Sequence, residues 1–260
     1  MELANLAPLT REPVDVLLAP SHFALRHPSV RIVAASERHV LNTGIDTTVF
    51  RPSAPAGSSP PFTVGYIGRL ATEKSLGLVL AAFRELQRRC LDRCRLRLVG
   101  DGPLRGPLEA LASDWQLRGV EFLGGVYDES ELASVARGLH VAVSPAFVET
   151  LGIAALEAMS SGVPVVGFAS GGVGDFLEHG VNGLAVPQPT ARAMADALLT
   201  LYRNETLRRS LGRQARATVL RRFNARIGVE QYVTLYQRLA RRFLRRSDHG
   251  DSETEDQANE

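Results

Sequence analysis

The chain has 260 residues, 45% of them hydrophobic and 22% charged, and a formal net charge of +2. That length suits one large domain or two small ones with a packed core, and so small a charge gives no reason to expect a nucleic-acid partner. The sequence has no apolar run of about eighteen residues, and MELANLAPLTREP lacks the basic-then-apolar layout of a signal peptide, so a cytoplasmic location is expected. The two cysteines, Cys90 and Cys94, are too few for a disulfide framework or a four-ligand zinc site and are expected to be free thiols.

In chain order, the first fifty residues hold two weak strand patterns, DVLLA at 15–19 and another near His39–Leu41. RPSAPAGSSPP then has the composition of a linker. From Pro61 strands and helices alternate. FTVGYIG (62–68) precedes a helix with Leu76, Val79, Leu80, Phe83 and Leu86 at helical spacing. LRLVG (96–100), VEFLG (120–124), HVAVSP (140–145) and PVVGF (164–168) follow, each of the first three with its own helix pattern. A short helix is expected near Val173–Glu178 and a strand near Leu184–Val186. The alternation predicts an α/β, doubly wound parallel sheet covered on both faces, which binds ligands at the carboxyl ends of its strands. Helices close the pattern, the last with an apolar stripe of Tyr232, Leu235, Tyr236, Leu239 and Phe243. SDHGDSETEDQANE reads as a disordered acidic tail.

The residues that carry chemistry follow predicted strands. Gly68 ends the first, with Arg69 and Lys74 just beyond; a guanidinium and an ammonium there suit a diphosphate. Lys74 is the chain's one lysine among 30 basic residues. In ETLGIAALEAMSSGVPVV, Glu149 precedes a helix whose start at Thr150, Leu151, Gly152 and Ile153 offers free backbone N–H groups, an anion site. Glu157 lies eight residues on, about 12 Å along a helix axis. That exceeds the roughly 5–9.5 Å between glycosidase carboxylates, so the pair is not expected to act as acid and base on one bond. A long ligand with hydroxyl-rich ends and phosphates between them, such as a nucleotide sugar, would meet both. The competing reading makes Glu149 a cap or first-turn acid and Glu157 a salt-bridged helix residue. No G-x-G-x-x-G follows any strand, which counts against a nicotinamide enzyme.

GYIGRLATEK, LRLVGDGPLRGPLEALA, VEFLGGV, VSPAFVETLGIAALEAMSSGVPVV, SGGVGDFLEHGVNGLAV and the earlier LNTGIDTTVFRP together resemble the retaining glycosyltransferases of family 4, which have the GT-B fold. The resemblance runs from about Asp15 to the last helix. It implies hexosyl transfer from a nucleoside-diphosphate sugar to a hydroxyl acceptor (glycan, lipid or small molecule) with retention and without a metal or other cofactor. Arg69 and Lys74 would bind the diphosphate and Glu149 would lie by the hexose. Glu157 would hold the ribose, backbone N–H groups around Leu151–Ile153 would help cradle hexose and phosphate, the backbone near Val126 would hold the base, and Gly68 and Thr150 would also belong to the substrate site. The absence of any D-x-D agrees with a metal-independent donor.

The resemblance divides the chain into 1–52, a remnant of the N-terminal acceptor-side domain; 53–61, a linker; 62–225, a Rossmann-like nucleotide-sugar domain; 226–246, a crossover helix; and 247–260, the tail. His140 stands where an aspartate is usual and Asp175 where a glutamate is usual; the Gly-rich loop and histidine of a full N-terminal domain have no counterpart. Two further readings stay open: a non-catalytic nucleotide-sugar-binding module, or one half of an enzyme that needs an acceptor-domain protein partner. Another GT-B enzyme is less suited, since a phosphorylase needs a lysine for its cofactor and the one lysine is already assigned. The arginines of the last helix, Arg238, Arg241, Arg242, Arg245 and Arg246, would suit peripheral contact with an anionic membrane, or packing against the N-terminal segment with the arginines solvated.

Overall fold

The computed structural model describes residues 13–42, 44–53, 61–90 and 93–256. The expected linker 53–61 falls almost wholly outside them, as do residues 1–12 and 257–260. The N-terminal part is a parallel pair, β1 (Val14–Ala19) and β2 (Ala35–Val40), joined through α1 (His22–Arg26) and α2 (Pro28–Arg31). Both strand patterns read in the sequence are present.

The larger part alternates as expected: β3 (Phe62–Ile67), α3 (Leu76–Cys90), β4 (Cys94–Val99), α4 (Arg105–Asp114), β5 (Val120–Gly124), α5 (Glu129–Arg137), β6 (Val141–Ser144), α6 (Ile153–Ser160), β7 (Val165–Gly167) and β8 (Gly183–Ala185). The expected short helix before β8 is instead a 3-10 turn, Gly171–Asp175. Two glycines begin it, and glycine's conformational freedom disfavours a longer helix there. Then come α7 (Ala191–Arg203), α8 (Glu205–Arg222) and α9 (Ala225–Asp256). Side chains start several of these helices: Asp128 accepts from the Glu131 N–H at 2.8 Å, Thr190 from Ala193 at 3.2 Å and Asn204 from Leu207 at 2.8 Å.

All pairings in the six-stranded sheet are parallel, in the order β5-β4-β3-β6-β7-β8. Apolar cores cover both faces. Phe62, Val64 and Tyr66 pack toward α3, α4 and α7; Ala142 and Val165 pack with Leu156, Met159 and Val219 of α6 and α8. This explains why β3 and β6 read as continuous apolar runs. The order reverses between β3 and β6, so the loops after these two strands diverge to opposite faces and leave a crevice between them.

The two sheets are tied where the chain crosses between them twice. The Ile45 N–H donates to the Phe223 carbonyl at 2.7 Å and Ala225 N–H to the Ile45 carbonyl at 3.0 Å. Gly44, at φ +73°, permits this approach: a Cβ there would lie 2.6 Å from the Ala225 nitrogen. Arg216 of α8 reinforces the junction, donating to the carbonyls of Thr47 at 2.9 Å and Phe50 at 2.6 Å.

α9 then packs against the N-terminal sheet. Arg242 lies 3.0 Å from Glu37, Arg238 pairs with the same carboxylate at 2.5 Å, and Leu235 is buried. Of the expected stripe, Tyr232 and Leu239 are half-buried while Tyr236 and Phe243 are exposed. The helix runs on to Asp256, into the segment expected to be disordered. Adding a residue to a formed helix is far easier than nucleating one, and the polarity of this segment does not prevent it. Among the described residues no helix is long and apolar enough to cross a membrane, and Cys90 and Cys94 are buried and outside any disulfide.

His140, at the aspartate position noted above, extends the β3–β6 contact. Its ring Nδ1 accepts from the Thr63 N–H at 3.1 Å, and its own N–H donates to the Thr63 carbonyl at 2.9 Å. Burial, then the Arg208 charge, pushes its pKa down from 6.5 to about 4. The unfolded chain takes up this proton first as pH falls, so the stability from neutral His140 is complete above about 6.5 and drains away toward pH 4. Water reaching part of the ring screens the effect, leaving about 2 kcal/mol. The difference in denaturant midpoint between the parent and His140→Asn, measured from pH 8 to 4, should carry this slope.

Candidate functional site

The crevice at the β3/β6 reversal is a cleft of about 480 Å³, within the usual range for small-molecule sites. One wall is the loop after β3, with Gly68, Arg69 and Lys74; the floor is Ala142–Pro145; the far wall is Glu149–Ala155. Leu18, Ala19, Pro20, Leu41 and Asn42 of the N-terminal sheet face them, with Tyr232 of α9. Of the residues expected from sequence, Gly68, Arg69, Lys74, Glu149, Thr150, Leu151, Gly152 and Ile153 line this cleft. Glu157 and Val126 do not. Val126 follows β5, which the strand order places at the sheet edge, two strands from β3. Glu157 lies deeper along α6, one turn past Ile153.

Lys74 closes a 3-10 turn, Thr72–Lys74, and its ammonium pairs with the Glu149 carboxylate across the crevice. Both side chains are about one-fifth exposed, 19% and 23%, so the pair is largely shielded from water. Arg69 is different: its guanidinium is two-thirds exposed and 3.6 Å from Glu73, a weak surface contact. It is therefore free to swing toward an anion.

Glu149 is neither a cap nor a first-turn acid. α6 is capped by Gly152, at φ +90° and with no side-chain hydrogen bond, so the helix start faces the cleft uncapped. The loop before it is held by the turn after β7. The Gly172 N–H donates to the Glu149 carbonyl at 2.6 Å and the Ser170 hydroxyl to the Phe147 carbonyl at 3.0 Å. Phe147 stacks on Phe168, their ring centres 4.2 Å apart. These three contacts hold the backbone that carries Glu149.

Tyr66 was not singled out by sequence, because a tyrosine in an apolar strand reads as core. Its hydroxyl donates to the Arg69 carbonyl at 2.9 Å, bracing the loop that carries the cation. Burial, then the charges of Glu149 and Glu73, push its pKa up, so it stays a donor. Of the other polar groups missed, Ser144 ends β6, and Asn42 and Tyr232 come from segments that only the fold brings to the cleft.

Glu157, one turn along α6 from the cleft wall, is a strongly perturbed acid. Burial, then repulsion from Glu129, raises its pKa from 4.5 to about 7. Among the described residues no cation forms an ion pair with it, so the salt-bridged reading fails. The sign of its linkage is opposite to the usual carboxylate: the unfolded chain releases this proton at lower pH, so Glu157 weakens the fold progressively as pH rises from about 4.5 to 7. Glu157→Gln should therefore stabilise the ligand-free chain by about 2 kcal/mol at pH 8 and hardly at all at pH 4, read from denaturant midpoints at the two pH values.

Comparison with known proteins agrees with this geometry. An alpha-D-kanosaminyltransferase of Streptomyces kanamyceticus is 30% identical over 174 residues, 67% of this chain and 45% of its own length. The amylovoran biosynthesis glycosyltransferase AmsK of Erwinia amylovora is 27% identical over 233 residues, 86% and 56% of the two. The chain thus spans about half the length of these curated relatives. Anabaena Alr3699/HepE, solved with UDP and glucose, superposes with a TM-score of 0.80 at 21% identity, over 91% of this chain and 68% of that one. The C-terminal domain of the glycosyl transferase group 1 protein LpcC of Francisella tularensis matches over 70% of this chain and 99% of its own, at 23% identity and a TM-score of 0.63. Residues 53–218 match the family description "Glycosyl transferases group 1", well over half of the sequence, and the chain belongs to that family.

Proposed function

We propose that the cleft binds a nucleoside-diphosphate sugar and that the chain serves the transfer of its hexose to a hydroxyl acceptor with retention of configuration. The observation that carries this is the meeting of Lys74, Glu149 and the uncapped start of α6 at the β3/β6 reversal. The ammonium has three donors, so it can hold Glu149 and a phosphate oxygen together. Arg69 closes from the exposed side, and the N–H groups around Gly152 and Ile153 face the same space. The positive charge a diphosphate needs is therefore supplied by side chains, and this reading calls for no metal. UDP bound to a structural neighbour of the same fold supports a nucleotide here.

Glu149 would accept from hexose hydroxyls. Glu157, a largely shielded acid that no cation among the described residues pairs with, would accept from the ribose diol. The backbone near Val126 would reach the base from the sheet edge. In the reaction the bond from the hexose anomeric carbon to the phosphate oxygen breaks, and a bond to the acceptor oxygen forms on the same face. The acceptor proton passes to the departing phosphate, whose growing charge Arg69 and Lys74 stabilise. The acceptor would be a glycan, lipid or small molecule.

A second reading is carried by coverage: the chain spans about half of its curated relatives. On that reading it holds donor but transfers nothing unless an acceptor-domain protein joins it. Contact of α9 with a membrane surface, and a cytoplasmic location, remain proposals of the same kind.

Titration calorimetry against UDP-, GDP- and ADP-sugars tests the donor reading. One class should bind, equally well with a chelator present. Lys74→Ala and Arg69→Ala should each weaken it about tenfold or more. Glu157→Gln should cost donor affinity about tenfold while stabilising the free chain. If no donor binds, the proposal fails; transfer by the purified chain to a panel of acceptors separates the enzyme from the binding half.

A further inference from the structure

One side of the cleft is fastened by contacts between segments distant in sequence. Ser21 is only 1% exposed. Its hydroxyl oxygen accepts from the Ala24 N–H at 3.0 Å and its proton goes to the Thr150 carbonyl. The backbone N–H of His22 donates to Asp175 Oδ2 at 2.7 Å, and His22 Nδ1 lies 3.4 Å from the same oxygen. Asp175 is itself anchored, since its carbonyl accepts from Arg222 at 2.7 Å. The turn that ends at Asp175 also holds the Glu149 carbonyl through Gly172. Ser21 and His22 directly follow Ala19 and Pro20, which line the cleft.

We propose that Ser21 and Asp175 form a latch, and that Asp175 is a positioning residue for the transferred sugar. The latch fixes the wall at Leu18–Pro20 against the loop that carries Glu149, and so sets the width of the cleft at its hexose end. This rests on the nucleotide-sugar reading. The nucleoside diphosphate would sit on Arg69, Lys74, Glu157 and the N–H groups of Gly152 and Ile153, whereas the latch's own bonds end at the Thr150 carbonyl and at Asp175. The latch therefore bears on the hexose and not on the nucleotide, a division that a merely structural role would not produce.

Three variants of the full chain test this: Asp175→Ala removes the acceptor, Asp175→Asn keeps one oxygen for the His22 N–H, and Ser21→Asp keeps the cap on Ala24 but loses the proton for Thr150. Hydrogen exchange on the ligand-free protein is the first readout. Asp175→Ala and Ser21→Asp should speed exchange about tenfold in segments 20–26 and 147–152, with Asp175→Asn close to the parent. Unchanged exchange in both disruptive variants overturns the latch, and if Asp175→Ala does not fold, Ser21→Asp decides.

Titration with UDP, GDP and ADP, each with and without attached glucose, is the second readout. Asp175→Ala should weaken the bound glucose donor about tenfold and its bare nucleotide less than twofold, with Asp175→Asn restoring the ratio. Equal losses for both ligands, or none, overturn the positioning role. Failure of the parent chain to bind any of the six sinks the nucleotide-sugar reading, while hydrogen exchange still settles whether the latch exists.

Discussion

A parallel sheet buried on both faces leaves one place where a ligand can enter between its connections: the point where strand order reverses. Here that point lies between β3 and β6, and every feature of the cleft follows from it. The loop after β3 turns to one face and carries the cations; the loop after β6 turns to the other and carries Glu149. Their ends meet in the Lys74–Glu149 pair, which joins residues 75 positions apart. Move the reversal by one strand and the two loops would never face each other.

The charged groups at and beside the site differ in exposure. At the rim, Arg69 is solvated and only weakly engaged. In the middle, Lys74 and Glu149 satisfy one another. Outside the cleft lining, one turn along α6, Glu157 has its pKa raised because burial disfavours its charge, and no cation among the described residues pairs with it. An acid left in that state is a cost to the fold, and a polar ligand that hydrogen-bonds to it offsets the cost.

Much of this was legible in the sequence. The spacing of Leu76, Val79, Leu80, Phe83 and Leu86 gave α3 its buried face, and each is buried. The loops after β3 and β6 could be singled out because strand-end positions are where such sheets bind, and eight of the ten residues singled out line the cleft, the exceptions being Glu157 and Val126. What could not be read is pairing across the fold. Nothing in the one-dimensional pattern says that Lys74 meets Glu149, that Tyr66 points its hydroxyl at a backbone carbonyl, or that Asp175 reaches His22. His140 looked like a substitution in the packing; only the structure shows its ring accepting a hydrogen bond from β3. The last helix was cut short in the sequence reading because composition signals solubility, whereas helix propagation is governed by the turn already formed.

The packing of α9 on the N-terminal pair also has a temporal meaning. A two-stranded sheet is marginal on its own, and Glu37 of β2 finds Arg238 only across 201 positions of chain. Closing so long a loop is slow unless the intervening segment has already collapsed. The six-stranded sheet, whose strands pair mostly with near neighbours in sequence, can condense first and bring α9 to β2. Folding then proceeds from the six-stranded side of the cleft to the opposing wall, and a chain interrupted before α9 would present half a cleft with no second wall to oppose it.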